Sequence, residues 1–281
     1  MPIQDITDTA FLTAFARAKE SERSDALFKD PFAESMAGDR GAALAAESPD
    51  FQTMAASIGC RTHVFDELLL KVIERNGVQL VLNLAAGLDA RPFRMKLPSS
   101  LSWLDADLES VLDYKSHCLG NAQPVCGYEQ VPVDLRDSED VRAVLEHADY
   151  ADVALVLTEG LLVYLNEPTV ASLAEGLRAT RSIQWWITDI AGPRALAMMA
   201  SSWGKLLEGA EFQFAPADAP AFFARPGWRE TEFRSSQEEA QRLGRAPEQG
   251  FVSKMALRAA PPRVREEIRR LSGISVLART E

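Results

Sequence analysis

The sequence predicts an α/β fold built on a mostly parallel sheet, and three observations carry that prediction. Apolar runs of strand length alternate with segments of helix length between residues 77 and 191. One run, Val81-Leu82-Asn83-Leu84, ends in the small residues Ala85-Ala86-Gly87 and then turns into polar chain at Leu88-Asp89-Ala90-Arg91. The next, Trp103-Leu104-Asp105-Ala106-Asp107, ends in an acid. Strands buried on both faces read as continuous apolar runs. Helix-length connections between them imply right-handed crossovers and helices on both faces of the sheet.

The first 76 residues read as helices. Asp8 or Thr9 caps a helix running to about Glu20, with Phe11, Leu12 and Phe15 among its apolar positions. Asp30 as cap and Pro31 as first helical residue suit a second start. A third helix runs from about Ala55 to Arg75, with Val64, Leu68 and Ile73 on its apolar face, and Asn76-Gly77 ends it. Strands follow at Gln79–Leu84, Ser102–Ala106, Glu129–Val133, Val153–Leu157 and Trp185–Asp189. Between them lie helical patterns at Pro92–Leu97, Leu108–Leu119, Ser138–His147 and Glu167–Arg181. Two last strands, Gly227–Arg234 and Ile274–Arg279, can pair as an antiparallel edge. Arg194–Ala224 interrupts the alternation as a helical, aromatic-rich insertion (Trp203, Phe212, Phe214, Phe222, Phe223). Its place suits a lid over a substrate, although aromatics of this kind serve equally well as core. The whole is read as one domain, 1–281: an N-terminal helical cap (1–76), a core sheet with the ligand site (77–191), a helical lid (192–226), and C-terminal strands and helix (227–281).

Composition narrows the classes. The 30 basic residues are outnumbered by 41 acidic ones, so the net charge is −11, against a nucleic-acid partner. No apolar run reaches the roughly 18 residues of a membrane span. The first residues carry no basic and apolar signal pattern. Cys60, Cys118 and Cys126 are odd in number and lack metal-type spacing, so they read as free thiols in a cytoplasmic protein. His63, His117 and His147 have no partner at ligand spacing, which argues against a metal site. Arg265-Glu266-Glu267-Ile268-Arg269-Arg270 mixes both charges and reads as a solvated helix.

A small-residue turn after one strand and a carboxylate ending the next is how nucleotide-binding α/β folds hold an adenosine. Gly87 is the first candidate for close backbone approach to a cofactor. Asp107 is the candidate for its ribose hydroxyls, with Asp105, on the same strand face, competing. Asp134, ending the third strand, can accept from an adenine amino group beside the Leu135 N–H, or can cap the next helix. Glu159, after the fourth strand, suits a cationic centre. Tyr164 lies five residues on and can line a substrate pocket or the core. Arg61 and Arg91 are the cations nearest the site, and either can grip a carboxylate in a bidentate fork.

Four blocks resemble the leucine carboxyl methyltransferase family, in particular its bacterial branch of S-adenosylmethionine-dependent small-molecule O-methyltransferases. Asp8-Thr9-Ala10, Arg17–Arg23 and Leu27–Ala33 are similar to the family's N-terminal block. Arg61-Thr62-His63-Val64-Phe65-Asp66 resembles its R-T-x-x-x-D helix. Asn83–Arg91 resembles its N-L-G-A-G-L-D-T-R turn, and Thr158–Leu165 its A-E-G-L-L-x-Y-L block. Pro132–Arg136 and Gly227-Trp228 also fit. The resemblance implies a Rossmann-like class I methyltransferase sheet of seven strands, mostly parallel with the last antiparallel. It implies that Arg61 holds the carboxylate of the cofactor's methionine part, that Gly87 lies against the same part, and that Asp107 takes the ribose. By the same resemblance Asp134 and Leu135 flank the adenine, and Glu159 sits near the cofactor's amino group or the pocket. Ala85 departs from the family, which usually has glycine there, so its methyl stands at the closest approach to the ligand.

The reaction this implies is methyl transfer by in-line displacement, in which the protein aligns a nucleophile and excludes water. A carboxylate acceptor is ionised at neutral pH and needs no general base, whereas a phenol gains from one. With no histidine in an acceptor-side block, the expectation is a small-molecule carboxylate, an aromatic acid being one candidate, with a hydroxyl as the other class. Tyr164 and Glu159 are the catalytic candidates. A nicotinamide-dependent oxidoreductase shares the turn and the acid but lacks the full Gly-x-Gly-x-x-Gly. A non-catalytic S-adenosylmethionine-binding protein keeps the same pocket. Oligomeric state is not legible.

Overall fold

The computed structural model describes residues 8–203, 211–246 and 260–281. Seven strands form one sheet: β1 (Leu80–Leu84), β2 (Ser102–Asp107), β3 (Gly127–Pro132), β4 (Ala154–Thr158), β5 (Ile183–Ala191), β6 (Trp228–Ser235) and β7 (Ser272–Arg279), in the order β3-β2-β1-β4-β5-β7-β6. The strands from β1 to β5 pair in parallel, and β7 runs antiparallel between β5 and β6. The expected antiparallel edge is therefore present, and β7 is also the strand that joins it to the parallel part. Sheet order reverses between β1 and β4, so the crevice for a ligand opens at their carboxyl ends.

Both faces of the sheet are buried, which is why its strands read as apolar runs. β1 and β4 are buried at every position. On one face Leu82, Val156 and Trp186 pack with Phe223 and Trp228, and the Trp186 and Trp228 rings meet edge-on at 5.8 Å. On the other, Val81, Trp103 and Ile187 lie under Phe65 and Leu68 of α3 (Phe51–Asn76). Gly77 ends α3 with φ +63°, a conformation glycine adopts without steric cost. That helix starts four residues earlier than its periodicity suggests.

The remaining parallel-sheet helices fall where expected: α4 (Arg91–Arg94), α5 (Glu109–Leu119), α6 (Ser138–Glu146) and α7 (Glu167–Ala179). The N-terminal helices α1 (Asp8–Glu22) and α2 (Ala33–Glu47) pack together against the β1–α4 turn, with Ala14 and Met36 beside Leu88 and Ala90. The second start needs correction. Asp30 accepts the Phe32 N–H at 3.1 Å, but its other oxygen is held by Arg17, and the chain makes a turn through Pro31 before α2 begins at Ala33.

The lid reading is corrected in part. Helix α8 (Pro193–Trp203) and the short α9 (Ala219–Ala224) are present, but residues 211–218 are not helical. Phe222 and Phe223 are buried in the sheet core, Phe214 is buried there and also lines the cleft beside Phe212, and the Trp203 side chain lies outside the described residues. The chain then forms β6, α10 (Ser236–Arg242), α11 (Pro262–Arg269) and β7. No residue of α11 is buried, as its mixed charges predict. Among the described residues no helix is long and apolar enough to cross a membrane.

Candidate active site

The site is assembled where β1, β2, β4 and β5 end. Leaving β1, the chain bends at Ala85 (φ +54°) and Gly87 (φ +50°), with Ala86 donating its N–H to the Ala106 carbonyl at 3.2 Å. Ala85 is the one non-glycine residue with positive φ among the described residues. The left-handed region costs an L-residue about 1–2 kcal/mol, so the departure from glycine carries backbone strain as well as a methyl facing the cleft.

Asp107 ends β2 and closes the turn from the other side. One carboxylate oxygen accepts the Gly87 N–H and the other the Leu108 N–H, each at 2.7 Å. The side chain still lines the cleft, and burial pushes its carboxyl above the ordinary value against the pull of these two N–H groups. Asp105, its competitor, is fully buried and engaged elsewhere. It accepts from Lys115 Nζ at 2.5 Å, from the Tyr128 hydroxyl at 2.6 Å, and from Trp103 Nε1 and Asn83 Nδ2 at 2.9 Å each. Asp105 holds the sheet together beneath the site.

At the end of β3, Asp134 and Leu135 line the cleft rim. The Asp134 carboxylate is gripped by Arg136, at 2.6 Å to Nη2, which holds it at about 2. The alternative role in capping does not occur: Asp137 caps α6, accepting the Glu139 N–H at 2.8 Å.

At the end of β4, Glu159 lies between two guanidinium groups. Arg61 Nε donates to one oxygen at 3.1 Å and Arg91 Nη2 to the other at 2.8 Å. Arg61 projects from the middle of α3 and also donates through Nη1 to Asp189 at 3.2 Å. Asp189, on β5, accepts the Gly160 N–H at 2.8 Å through its second oxygen, and burial raises its carboxyl. The expectation that Arg91 can serve as a fork for a ligand is corrected. Its guanidinium is consumed by Asp66 at 2.6 Å, Asp89 at 2.7 Å and Glu159, and its side chain is 3% exposed. Burial alone would raise Asp89, yet the charges of Arg91, Lys115 and Arg94 with the Arg91 N–H together outweigh it and hold that carboxyl at about 2. Arg94 completes the cluster on Asp66 at 2.7 Å. Against Arg61, Arg91 and Arg94 stand Asp66, Asp89, Glu159 and Asp189, one carboxylate in excess, so the cluster favours a cationic ligand.

Tyr164 closes a single 3-10 turn after β4, with its ring 5.4 Å from that of Phe212. Leu12, Met54 and Ile58 pack around the pair. Burial pushes its hydroxyl up to about 12. The cleft joining all these groups has a volume of about 1620 Å³. Ligand pockets for one small molecule reach about 1,000 Å³, so there is room for two. No histidine lines it among the described residues; His63 lies 3.3 Å from Glu67 one turn along α3. Two contributors escaped the sequence reading. Asp189 ends a strand in an acid as Asp107 does, a signal that was available. Arg17, on α1, donates to the Leu88 carbonyl at 2.6 Å beside Gly87, and nothing local in the sequence marks that contact.

The strand order and the antiparallel β7, with a charged cleft at the carboxyl ends of the strands, form a Rossmann-like sheet. The leucine carboxyl methyltransferase family model matches residues 10–178, and the chain belongs to that family as an S-adenosylmethionine-dependent methyltransferase. It is 32% identical over 253 residues to a protein of Parafrankia sp. provisionally named an S-adenosyl-L-methionine-dependent methyltransferase, covering 81% of this chain and 78% of that one. A similarly named protein of Mycobacterium marinum is 35% identical over 178 residues, 56% of each chain. Two solved structures share the fold at low identity. A DUF574 family protein from Streptomyces avermitilis matches over 97% of both chains with a TM-score of 0.59 and 11% identity. A provisionally named methyltransferase from Thermobifida fusca matches over 95% of this chain and 94% of its own, with a TM-score of 0.56 and 13% identity.

Proposed function

We propose that this methyltransferase esterifies a carboxylate of a small-molecule acceptor, with a hydroxyl as the competing target. One observation carries the reading: among the described residues no histidine lines the cleft, and the two catalytic candidates after β4 are poorly suited to remove a proton from an acceptor. Tyr164 is neutral up to about pH 12, and both Glu159 oxygens are held by arginines. A carboxylate needs no such group, because it is already ionised at neutral pH.

The roles follow from position. Asp107 accepts from the ribose hydroxyls, and Leu135 with Asp134 borders the adenine, the Asp134 carboxylate being occupied by Arg136. Arg61 faces the methionine carboxylate, while Glu159 and Asp189 face the ammonium and sulfonium charges. Ala85 and Gly87 lie against the methionine part. Tyr164 acts as a neutral hydrogen-bond donor that orients the acceptor, and Glu159 as a positioning residue rather than a base. S-adenosylmethionine, when bound, would supply an electrophilic methyl that the acceptor's carboxylate oxygen takes up, the electron pair of the broken carbon–sulfur bond staying on sulfur. No proton moves, so the protein's part is alignment and exclusion of water.

The test pairs a thermal shift with a turnover assay. S-adenosylmethionine and S-adenosylhomocysteine at about 100 times their dissociation constants should each stabilise the fold by roughly 2.7 kcal/mol, and NAD should not. A panel of aromatic and aliphatic acids and phenols, followed by S-adenosylhomocysteine release, should then give methyl esters. Methylation of a phenol with none of any acid would overturn the carboxylate reading.

A further inference from the structure

Resting on that reading of the cleft, we propose that the acceptor is an extended apolar monocarboxylic acid carrying no second charge, whose body passes Tyr164 and leaves through a port between α8 and α11. The first support is the state of the cations. Among the described residues no lysine lines the cleft, and every arginine that does is already paired with a carboxylate of the protein. Arg61, Arg91 and Arg94 belong to the cluster at the strand ends. Arg17 is held by Asp30 at 3.0 Å, Arg136 by Asp134 at 2.6 Å, Arg234 by Glu239 at 3.0 Å, and Arg245 by Glu20 at 2.7 Å. A phosphate or a second carboxylate on the acceptor would have to displace a protein carboxylate from one of these pairs, which is costly at the buried ones, those of Arg17, Arg91, Arg94 and Arg245.

The second support is shape. A smaller cavity of about 250 Å³ adjoins the cleft and shares Ser57, Met198, Met199 and Gln237 with it. Its outer wall is Ala195 of α8, Ile268 of α11 and Leu271. Met198 is 60% exposed there, although it is large and apolar. Methionine is unbranched and polarisable and packs against irregular apolar ligands. The two cavities adjoin along Met198 and Met199, and Ser272 also belongs to both, so the way from the cleft to the surface is lined by apolar and small polar side chains. A compact acid would leave the port empty, whereas an extended one fills it.

The experiment compares straight-chain monocarboxylic acids of increasing length with α,ω-dicarboxylic acids of matched length, reading kcat/KM by S-adenosylhomocysteine release. Each added methylene should raise kcat/KM about three- to four-fold while it enters the route, and the second carboxylate should lower it at least about ten-fold. In Met198→Lys the long monocarboxylate should lose and the matched dicarboxylate should gain. Unchanged S-adenosylmethionine affinity by calorimetry would report that this variant is folded. A flat dependence on length, or equal use of mono- and dicarboxylates, overturns the inference while ester formation leaves the proposed function standing. Methylation of phenols alone overturns both.

Discussion

Gly87 and Asp107 are joined across 20 residues of sequence by a 2.7 Å hydrogen bond from the glycine N–H to the carboxylate. The bond ties the end of β1 to the end of β2, so the turn proposed to approach the cofactor and the acid proposed to read its ribose form one unit. Because Asp107 also receives the Leu108 N–H, its orientation is set before any ligand arrives.

Asp107→Asn leaves one acceptor where the carboxylate has two: its oxygen can still take the Gly87 N–H while its NH2 faces the Leu108 N–H, so the turn should loosen and the variant should bind cofactor more weakly. A hydrogen bond to a charged group contributes about 1.5–3 kcal/mol, so the dissociation constant should rise roughly ten- to hundred-fold. pH adds a second readout. Burial raises the folded carboxyl above 3.8, so the folded chain takes up this proton at a higher pH than the unfolded chain. Above its folded pKa the ionised group costs stability, and as pH falls through that value the cost disappears. Cofactor affinity moves the opposite way, weakening over the same range in the wild type and not in the variant. Calorimetric titrations at a series of acidic pH values that coincided for the two proteins would sink this account.

Ala85→Gly should make the protein more stable. The left-handed conformation costs alanine about 1–2 kcal/mol, while glycine loses about 0.4–1 kcal/mol through the freer unfolded chain. The net gain of about 0.5–1 kcal/mol should raise Tm by about 1–4 °C. Removing the methyl from the cleft should also leave S-adenosylmethionine binding at least as tight. A lower Tm would mean that the packing of the methyl against the sheet core outweighs the strain.

Tyr164→Phe separates a donor from a base. With its hydroxyl pushed up to about 12, Tyr164 stays protonated through any practical assay. Losing one hydrogen bond of about 0.5–1.5 kcal/mol should lower kcat/KM by about two- to ten-fold. It should not change the pH–rate profile between about pH 7 and 10. Loss of a general base would instead cost roughly 10²- to 10⁴-fold and remove a limb of that profile.

The sheet was legible because its strands are buried on both faces, and such strands leave uninterrupted apolar runs such as Val153–Leu157. The place of Asp107 was legible for a related reason: it closes a strand at a spacing set by one crossover. What escaped depends on partners distant in sequence. Asp89 is a nearby partner of Arg91, but the pairing that consumes the rest of its guanidinium is not legible, because Asp66 and Glu159 reach it across 25 and 68 residues. Phe214, Phe222 and Phe223 look the same in sequence whether they cover a cleft or fill a core. Asp105 and Asp107 share a strand face, and besides the neighbouring Trp103 it is the distant Asn83, Lys115 and Tyr128 that commit Asp105 to the interior.

The same dependence on distant partners makes Arg17 the most informative residue outside the cleft's charged cluster. Its Nη2 donates to the Leu88 carbonyl at 2.6 Å and its Nε to Asp30 at 3.0 Å, so it links α1, the start of α2 and the cofactor turn. Arg17→Ala would leave Asp30, which is buried, with only the Arg94 Nε at 3.8 Å as a cationic neighbour, and breaking a buried pair costs about 3–5 kcal/mol. Arg17→Lys is the better probe, because a single ammonium keeps the charge for Asp30 and has no rigid fork to span both acceptors. In that variant the Leu88 end of the link should loosen while the fold persists. KM for S-adenosylmethionine should rise several-fold with kcat nearly unchanged, because α1 positions the turn and touches no reacting atom. A fall in kcat at unchanged KM would place Arg17 in the acceptor's alignment instead. A fall in Tm large enough to account for lost activity would reduce it to a structural tie.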